Sequence, residues 1–238
     1  MTTGSHRRIW VVVPAYREGA AIGAVVAELV AAGWDVVVVD DGSPDDTAAV
    51  AHAAGARVVR HAVNLGQGAA LQTGIDFALA RGAGCIVTFD ADGQHGVEDV
   101  PALIAAVDAG ADIALGSRFL APGGAAGAGI GRRLLLRAAV RASNLLAGGT
   151  FTDAHCGLRA FSAAAAPALR IAQDRMAHAS ELLRNVCRHG LRFVEVPVVV
   201  RYTAYSRRKG QRGLDALRIV FDHFFHAGGD RKEGRTHG

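Results

Sequence analysis

The chain has 238 residues, of which 50% are hydrophobic and 20% are charged, and its formal net charge is +4. A chain of this size and apolar content can bury the core of one domain, which excludes disordered and fibrous proteins. No stretch is long and apolar enough to span a bilayer, and the apolar run near the N-terminus is too short for a signal peptide, so we expect a cytoplasmic protein. The three cysteines are widely spaced and indicate neither a disulfide framework nor a zinc site.

In the first half of the chain, short β-rich runs alternate with helical stretches. The predicted strands cover residues 9–13, 35–40, 57–61, 85–90 and 112–117. The predicted helices lie near residues 20–32, 44–54, 68–81 and 97–109. This alternation predicts an α/β protein with a parallel sheet, and the nearly continuous Val and Ile content of the strands predicts helices on both faces.

The pattern changes after residue 117. A Gly/Ala-rich loop over 121–131 precedes a helix over 132–147, which carries arginines among leucines. The later segments are a polar stretch over 150–162, a helix near 175–189, a strand within 192–202 and a last helix over 214–227. The tail, 227–238, is predicted to be disordered, which leaves a single domain over 1–226 with an N-terminal half (9–117) and a C-terminal half (118–226).

Polar residues follow three of the predicted strands. Tyr16 and Glu18 follow the first, Asp40 and Asp41 close the second, and residues 90–94 end the fourth. In open α/β sheets, ligands bind in the crevice at the carboxyl ends of the strands. The sequence therefore predicts that these groups converge on one edge of the sheet.

Asp90 and Asp92 stand one residue apart in extended chain, so their carboxylates point to the same side. Two close carboxylates repel each other, and hard oxygen ligands favour Mg²⁺ or Mn²⁺, which commonly bridge protein carboxylates to substrate phosphates. Gln94 offers a third oxygen. An ordinary polar loop is the alternative for such a pair; the position at the end of a buried strand strengthens the metal-site interpretation, and both stay open at this point.

The turn after the second strand resembles a capping box, with Ser43 as the cap, Pro44 in the first helical position and Asp46 three residues after Ser43. That turn does not explain the two acids Asp40 and Asp41. A carboxylate there can accept hydrogen bonds from a base N–H or from ribose hydroxyls.

The glycines at 66 and 68 do not form a dinucleotide fingerprint, because Leu71 stands where the third glycine belongs. NAD binding is therefore disfavoured. Gly68 is predicted to begin a helix packed closely on the sheet, where a phosphate could bind.

Six motifs occur in a characteristic order: VVVPAYREGAAI, VVVVDDGSPDDT, NLGQGAALQTG, FDADGQH, GSRF and TDAHCGLRAFS. Together they resemble family 2 glycosyltransferases, on the dolichyl-phosphate mannose synthase-like branch, over residues 9–211. The resemblance implies a GT-A fold, with a Rossmann-like, mostly parallel central sheet flanked by helices in a single domain. It also implies an NDP-sugar donor bound by the N-terminal half, an acceptor bound by the C-terminal half, a divalent cation (Mg²⁺ or Mn²⁺) and inversion at the anomeric carbon.

The same resemblance assigns site residues. Donor-binding residues would be Pro14, Ala15, Tyr16, Glu18, Asp40, Asp41, Gly68, Asp90, Ala91 and Asp92. Metal ligands would be Asp90, Asp92 and Gln94. Phosphate or acceptor contacts would be Arg118, Arg132, Arg133, Arg207, Arg208 and Lys209. Asp153 would be the catalytic base for a hydroxyl acceptor; it would orient the site for a phosphate acceptor, and capping of the following turn is a further alternative.

Other polar residues of the C-terminal half have open roles. His178 and Glu181 share a helix face. Together with His155 they are candidates for an acceptor contact or a metal site. The alternative for His178 and Glu181 is an ordinary pair on the surface. Arg159 is a candidate structural partner of Asp153.

The sequence departs from the family pattern in two respects. Gln67 stands where relatives often carry lysine, and the C-terminal membrane spans of many polyprenyl-phosphate members are missing. The apolar faces of helix 132–147 and of the last helix are flanked by basic residues, which fits core packing or docking at the inner face of a membrane.

The expected function is an inverting, metal-dependent transfer of a sugar from an NDP-sugar to an acceptor, with a polyprenyl phosphate as the leading candidate. One alternative is the same chemistry on a soluble saccharide or a secondary metabolite. A sugar-1-phosphate nucleotidyltransferase is a second alternative, although PAYREG fits its nucleotide loop poorly. A non-catalytic sugar-nucleotide binding module is the third. We expect no nucleic-acid partner.

Overall fold

A computed structural model describes residues 7–122, 130–172 and 177–201, which lie within one compact unit, Met1–Tyr202. The strands are β1 (Ile9–Ala15), β2 (Asp35–Asp40), β3 (Arg57–Arg60), β4 (Cys85–Thr88), β5 (Ile113–Ser117), β6 (Arg159–Ser162) and β7 (Phe193–Pro197). The helices are α1 (Ile22–Ala31), α2 (Thr47–Ala53), α3 (Gln67–Ala80), α4 (Val100–Asp108), α5 (Ile130–Ala147) and α6 (Ala177–Arg188). The predicted last helix, the tail and the basic positions 207–209 lie outside the described residues.

The seven described strands form one sheet in the order β3-β2-β1-β4-β6-β5-β7. β6 runs antiparallel to both of its neighbours, and the other pairs are parallel. The predicted mostly parallel α/β sheet is therefore confirmed. The sequence does not predict β6, because its four residues are too few to show a period; it forms by pairing, with Phe161 opposite both Ile86 and Ile113.

The central strands are buried on both faces. In β1 and β2, Val11 and Val36 belong to a core with α1, α2 and α4, whereas Val12 and Val37 belong to a core with α3, α5 and α6. Helix α3 lies very close to the sheet, since a Cβ added at Gly74 would meet the Val12 side chain at 2.3 Å. This close packing positions the first turn of α3 beside the carboxyl ends of the strands.

The predicted capping box is wrong. Helix α2 begins at Thr47, with Asp46 at its N-cap and no side-chain hydrogen bond from the cap. The Ser43 hydroxyl instead accepts a hydrogen bond from the Arg17 N–H at 3.0 Å, and the Ser43 N–H donates to Asp40 Oδ1 at 3.1 Å. Ser43 therefore joins the loops after β1 and β2, and those long-range contacts override the local capping pattern.

None of the helices in the described ranges is long and apolar enough to cross a membrane.

Candidate active site

The predicted convergence of strand ends occurs at one edge of the sheet. β1 lies between β2 and β4 and is parallel to both, with Ala15 opposite Asp40 and Val12 opposite Thr88. The loops that follow these strands therefore leave the sheet side by side. The ends of these strands, the loops that follow them and the first turn of α3 carry the predicted donor-binding residues of the N-terminal half.

Asp90 and Asp92 lie in the segment just after β4, which ends at Thr88, and both are half-buried. Asp90 Oδ2 lies 3.3 Å from His95 Nε2, and Gln67 Nε2 lies 3.5 Å from Asp90 Oδ1. Asp92 Oδ1 accepts a hydrogen bond from the Gln94 backbone N–H at 3.1 Å. The sequence prediction did not assign a role to His95, whose side chain is only 3% exposed.

The two carboxylates have different acidities. Loss of hydration opposes ionisation of Asp90, but the hydrogen bond and charge of His95, with the charges of Arg159 and His178, hold its pKa below the ordinary value. Loss of hydration, together with the charge of Asp90, raises the pKa of Asp92 to about 6. Asp90 therefore ionises readily, whereas ionisation of Asp92 beside it is disfavoured and would become easier with a bound cation.

The Asp90 carboxylate packs closely against Gly157. A Cβ added at Gly157 would lie 2.0 Å from Asp90 Oδ2, and Thr88 Oγ1 donates a 2.7 Å hydrogen bond to the Gly157 carbonyl. Only a residue without a side chain leaves room for Asp90 in this position. The sequence prediction missed Gly157, although it lies within the TDAHCGLRAFS motif.

Asp41 is buried, and protein groups use much of its hydrogen-bonding capacity. Its carboxylate accepts hydrogen bonds from the N–H groups of Leu65 (2.9 Å) and Gly66 (2.8 Å), and Asp41 Oδ1 lies 2.7 Å from His61 Nδ1. His61 Nε2 in turn lies 3.0 Å from Thr73 Oγ1 on α3. Asp41 therefore fixes the loop that leads into α3, and its contact with a base stays a prediction.

Asp40 is also buried. Its Oδ1 accepts the Ser43 N–H, and its Oδ2 lies 3.1 Å from Arg60 Nε in an ion pair. The predicted binding of the NDP-sugar by Asp40 likewise stays a prediction.

The remaining donor-side residues lie around the same edge. Pro14 and Ala15 end β1, and Tyr16 is exposed after it. Glu18 is buried, and its N–H donates to Thr47 Oγ1 at 2.9 Å. Ala91 and Gly68 are both buried, and Gly68 lies in the first turn of α3, which begins one residue earlier than predicted.

Arg118, which follows β5, forms a buried ion pair with Asp153. Arg118 Nε donates to Asp153 Oδ2 at 2.6 Å, the Arg118 N–H donates to the same oxygen at 3.2 Å, and the His155 N–H donates to Asp153 Oδ1 at 3.1 Å. The ion-pair partner of Asp153 is thus Arg118, where the sequence suggested Arg159. Asp153 also caps the following turn, as one alternative predicted.

Glu195 on β7 anchors the Asp153 turn. Its Oε1 accepts hydrogen bonds from Thr152 N–H (2.8 Å), Thr152 Oγ1 (2.8 Å) and Asp153 N–H (3.2 Å). The sequence prediction missed Glu195, because no local pattern relates residues that are about forty positions apart in the chain.

Three basic residues near Asp153, namely His155, Arg159 and His178, were given open roles by the sequence. Arg159 on β6 and His178 on α6 are buried, which contradicts the surface interpretation of His178. Burial lowers the pKa of His155 to about 4. The charge of Asp153 raises this pKa in part, whereas the positive charges of Arg118, Arg159 and His178 lower it further. Glu181 Oε2 accepts the Ala172 N–H at 3.1 Å.

Arg132 and Arg133 lie in α5, but their side chains are outside the described part of the structure. The predicted phosphate contacts Arg207, Arg208 and Lys209 also lie outside it. Within the described ranges, no three His, Cys, Asp or Glu side chains are placed to hold a metal ion together. A cation at Asp90 and Asp92 would therefore need other oxygen ligands, such as Gln94 and the phosphates of a bound substrate.

Comparison with known proteins identifies the family. Residues 10–166 match glycosyl transferase family 2. Polyprenol monophosphomannose synthase of Mycolicibacterium smegmatis is 33% identical over 230 residues, which cover 91% of this chain and 86% of that protein. The UDP-N-acetylglucosamine–dolichyl-phosphate N-acetylglucosaminyltransferase of Methanococcus voltae is 30% identical over 238 residues, which cover 91% of this chain and 95% of that protein.

A solved structure of another glycosyl-transferring enzyme matches the fold of this chain. Glucosyl-3-phosphoglycerate synthase from Mycobacterium tuberculosis, in complex with Mn²⁺, UDP-glucose and phosphoglyceric acid, matches with a TM-score of 0.64 and 25% identity, over 86% of this chain and 75% of that one. The seven-stranded sheet is thus the expected GT-A-like fold. The chain is a glycosyltransferase that belongs to glycosyl transferase family 2, on its dolichyl-phosphate mannose synthase-like branch.

Proposed function

We propose that the protein is an inverting, metal-dependent transferase that moves a sugar from an NDP-sugar to a polyprenyl phosphate. The observation that carries this proposal is the half-buried carboxylate pair, Asp90 and Asp92, at the edge where β1, β2 and β4 end. Loss of hydration and the charge of Asp90 raise the pKa of Asp92 to about 6, so additional positive charge beside the pair would favour its ionisation. A divalent cation would supply that positive charge, and the oxygen atoms of the donor diphosphate would complete its coordination.

Asp90, Asp92 and Gln94 would hold the cation, and their oxygen atoms suit Mg²⁺ or Mn²⁺. When bound, the cation would act as a Lewis acid that stabilises the negative charge growing on the departing nucleoside diphosphate. His95 contacts the Asp90 carboxylate, and Gly157 leaves the space that this carboxylate occupies. The solved relative that binds Mn²⁺ and UDP-glucose supports the same donor chemistry here.

The replacement Gly157→Ala is expected to weaken Mn²⁺ binding about tenfold to a hundredfold, because the new methyl group must displace the Asp90 carboxylate. Isothermal titration with Mn²⁺ and UDP measures this effect. Gly131→Ala is the matched control, since a Cβ at Gly131 meets nothing within 4 Å. Equal Mn²⁺ affinities for the two variants would contradict the placement of Asp90 as a ligand.

A phosphate acceptor fits the geometry of Asp153. Its carboxylate already accepts hydrogen bonds from Arg118 and His155, which suits an orienting group better than a free base. A phosphate monoester carries its own negative charge near neutral pH, so it can attack without a strong base. Arg118, held by Asp153, would then face the acceptor phosphate or the transferred sugar.

The names of the relatives favour a lipid acceptor. The proteins from M. smegmatis and M. voltae, which match over nine-tenths of this chain, are named for polyprenol and dolichyl-phosphate chemistry. A soluble acceptor is the second candidate, because the solved relative binds phosphoglyceric acid. The family assignment sets aside the nucleotidyltransferase and the non-catalytic module.

The test is a matrix of UDP-, GDP- and dTDP-sugars against a polyprenyl phosphate and soluble sugar or acid acceptors, with Mn²⁺ or with EDTA. We expect EDTA-sensitive transfer to the polyprenyl phosphate, and an inverted anomeric configuration of the product by NMR. Transfer to soluble acceptors alone would replace the acceptor assignment. Full activity in EDTA would contradict the metal.

A further inference from the structure

Donors of the chain itself occupy most of the Asp41 carboxylate. The consecutive N–H groups of Leu65 and Gly66 donate one to each of its oxygens, to Oδ1 at 2.9 Å and to Oδ2 at 2.8 Å. His61 Nδ1 lies 2.7 Å from Oδ1 and is the third donor. A carboxylate has about four acceptor positions, so these three donors among the described residues leave about one, on Oδ2. The Asp41 side chain is only 4% exposed, so a ligand can use little more than this position.

His61 is fixed from its other side by α3. Its Nε2 lies 3.0 Å from Thr73 Oγ1, and its side chain is nearly buried. Because a carboxylate only accepts, the ring carries a hydrogen on Nδ1, and Nε2 of the neutral ring accepts the Thr73 hydroxyl hydrogen. Rotation of the imidazole away from Asp41 would break both hydrogen bonds. Thr73 therefore keeps His61 on Asp41 and keeps a second acceptor position closed.

The separation of Asp41 from the acidic pair suits a nucleotide that lies between them. Asp41 directly follows β2, and Asp90 and Asp92 lie just after β4. β1 lies between these two strands, so their ends are two strand spacings apart, about 10 Å. A ribose can bridge such a gap between a base and a diphosphate. A diphosphate bound beside the acidic pair would therefore bring its base toward Asp41.

The bases of nucleotides differ in the N–H donors that they present to such a carboxylate. Guanine presents two neighbouring donors, its ring N1–H and its exocyclic amino group. Uracil and thymine present one, the ring N3–H, between two carbonyl oxygens. One acceptor position on Asp41 satisfies that single N–H, whereas guanine would keep a buried donor without a partner. Asn64 Nδ2, which donates to the Asp41 carbonyl at 3.2 Å, has a second hydrogen for a carbonyl oxygen of uracil or thymine.

We propose that His61, held by Thr73, makes this site selective for a uracil or thymine nucleotide over a guanine nucleotide. His61 is a positioning residue, because it acts through Asp41 and closes the acceptor position that a second donor of guanine would need. The inference rests on the proposed function for the presence of a nucleoside diphosphate. It adds which class of base that nucleotide carries.

Isothermal titration of the full chain with UDP, dTDP and GDP in the presence of Mn²⁺ tests this selectivity without any sugar transfer. We expect UDP or dTDP to bind at least about tenfold more tightly than GDP, because a buried donor without a partner lowers affinity by about this factor. His61→Ala should reduce the ratio of the UDP and GDP affinities to about threefold or less, because it opens a second acceptor position on Asp41. Thr73→Val should lower the ratio in the same direction, and Thr73→Ser, which keeps the hydroxyl, should retain it. His52→Ala, at an exposed position of α2, is the matched control.

Binding of GDP by the wild type as tight as that of UDP and dTDP, or tighter, would overturn the inference. So would an unchanged affinity ratio in His61→Ala, because a purely structural role of His61 lowers all three affinities together. Circular dichroism confirms folding, and Thr73→Val serves as the decisive variant if His61→Ala misfolds.

Transfer assays separate this inference from the proposed function. Selective binding of UDP or dTDP, with no transfer from the corresponding sugar nucleotides to any acceptor, would contradict the proposed function alone. Transfer from GDP-sugars in preference to UDP- and dTDP-sugars would contradict the selectivity alone.

Discussion

Replacing Asp92 with asparagine is expected to reduce glycosyl transfer about a thousandfold or more while the protein remains folded. The replacement removes one of the two carboxylates that would hold the cation, and the stabilisation of a departing diphosphate by a metal amounts to several kcal/mol. Initial rates with saturating donor and Mn²⁺ measure the loss. Asp76→Asn, on the exposed side of α3, is the control and should leave the rate unchanged. Wild-type rates for Asp92→Asn would contradict the metal site.

The same variant should change stability in a direction opposite to its effect on activity. The folded-state pKa of Asp92 is raised to about 6, so its contribution to stability is present below the unfolded pKa of about 4 and is lost as the pH rises through 6. Asparagine does not ionise, so Asp92→Asn does not lose stability as the pH rises through this range. Without metal, its melting temperature should therefore rise relative to the wild type between about pH 4 and 6 and stay above it at pH 7.5. Saturating Mn²⁺ should reverse the order, because only the wild type gains the full stabilisation of binding. Parallel melting curves across this pH range would contradict the raised pKa.

Replacing Asp153 with asparagine is expected to raise the KM for a polyprenyl phosphate acceptor tenfold or more and to lower stability. The buried Arg118 guanidinium would lose its charged partner, and breaking a buried ion pair from one side destabilises a protein by about 3–5 kcal/mol. Arg118 would also lose the hydrogen bonds that orient it. Steady-state kinetics in the acceptor concentration and denaturant unfolding measure the two effects.

The kinetics of Asp153→Asn also distinguish an orienting group from a base. An orienting role predicts that the pH profile of kcat keeps its shape. A base role predicts that kcat falls by orders of magnitude and that the acidic limb of the profile disappears. Asp112→Asn is the matched control, because Asp112 pairs with Arg192 on the surface, where loss of an ion pair has little effect.

Much of the N-terminal half is predictable from the sequence. The five predicted strands and four predicted helices all occur, because hydrophobic runs and Gly-rich turns are local signals. The acids at the ends of β2 and β4 lie at one edge for the same reason: parallel strands place their carboxyl ends together. The boundaries are less predictable, as the start of α2 at Thr47 shows.

The functional roles of single side chains were harder to predict. For Asp41 the sequence predicts a contact with a base, which stays a prediction, but it does not predict the contacts with Leu65, Gly66 and His61. The sequence leaves the role of Asp153 open between a base, an orienting group and a turn cap, and it does not predict the ion pair with Arg118. In each case the partner lies at least twenty residues away in the chain, and a local pattern contains no information on such a partner.

The sequence by itself determined the class of fold, the order of its first elements and the acidic pair Asp90 and Asp92, since each depends on neighbouring residues and their periodicity. Only the tertiary structure decided how those acids are surrounded. The antiparallel insertion of β6 between β4 and β5 brings Gly157 against Asp90, and the anchoring of the Asp153 turn by Glu195 on β7 brings Asp153 to Arg118. These contacts depend on strand pairing and close packing between distant segments, which set distances that no stretch of the chain encodes alone.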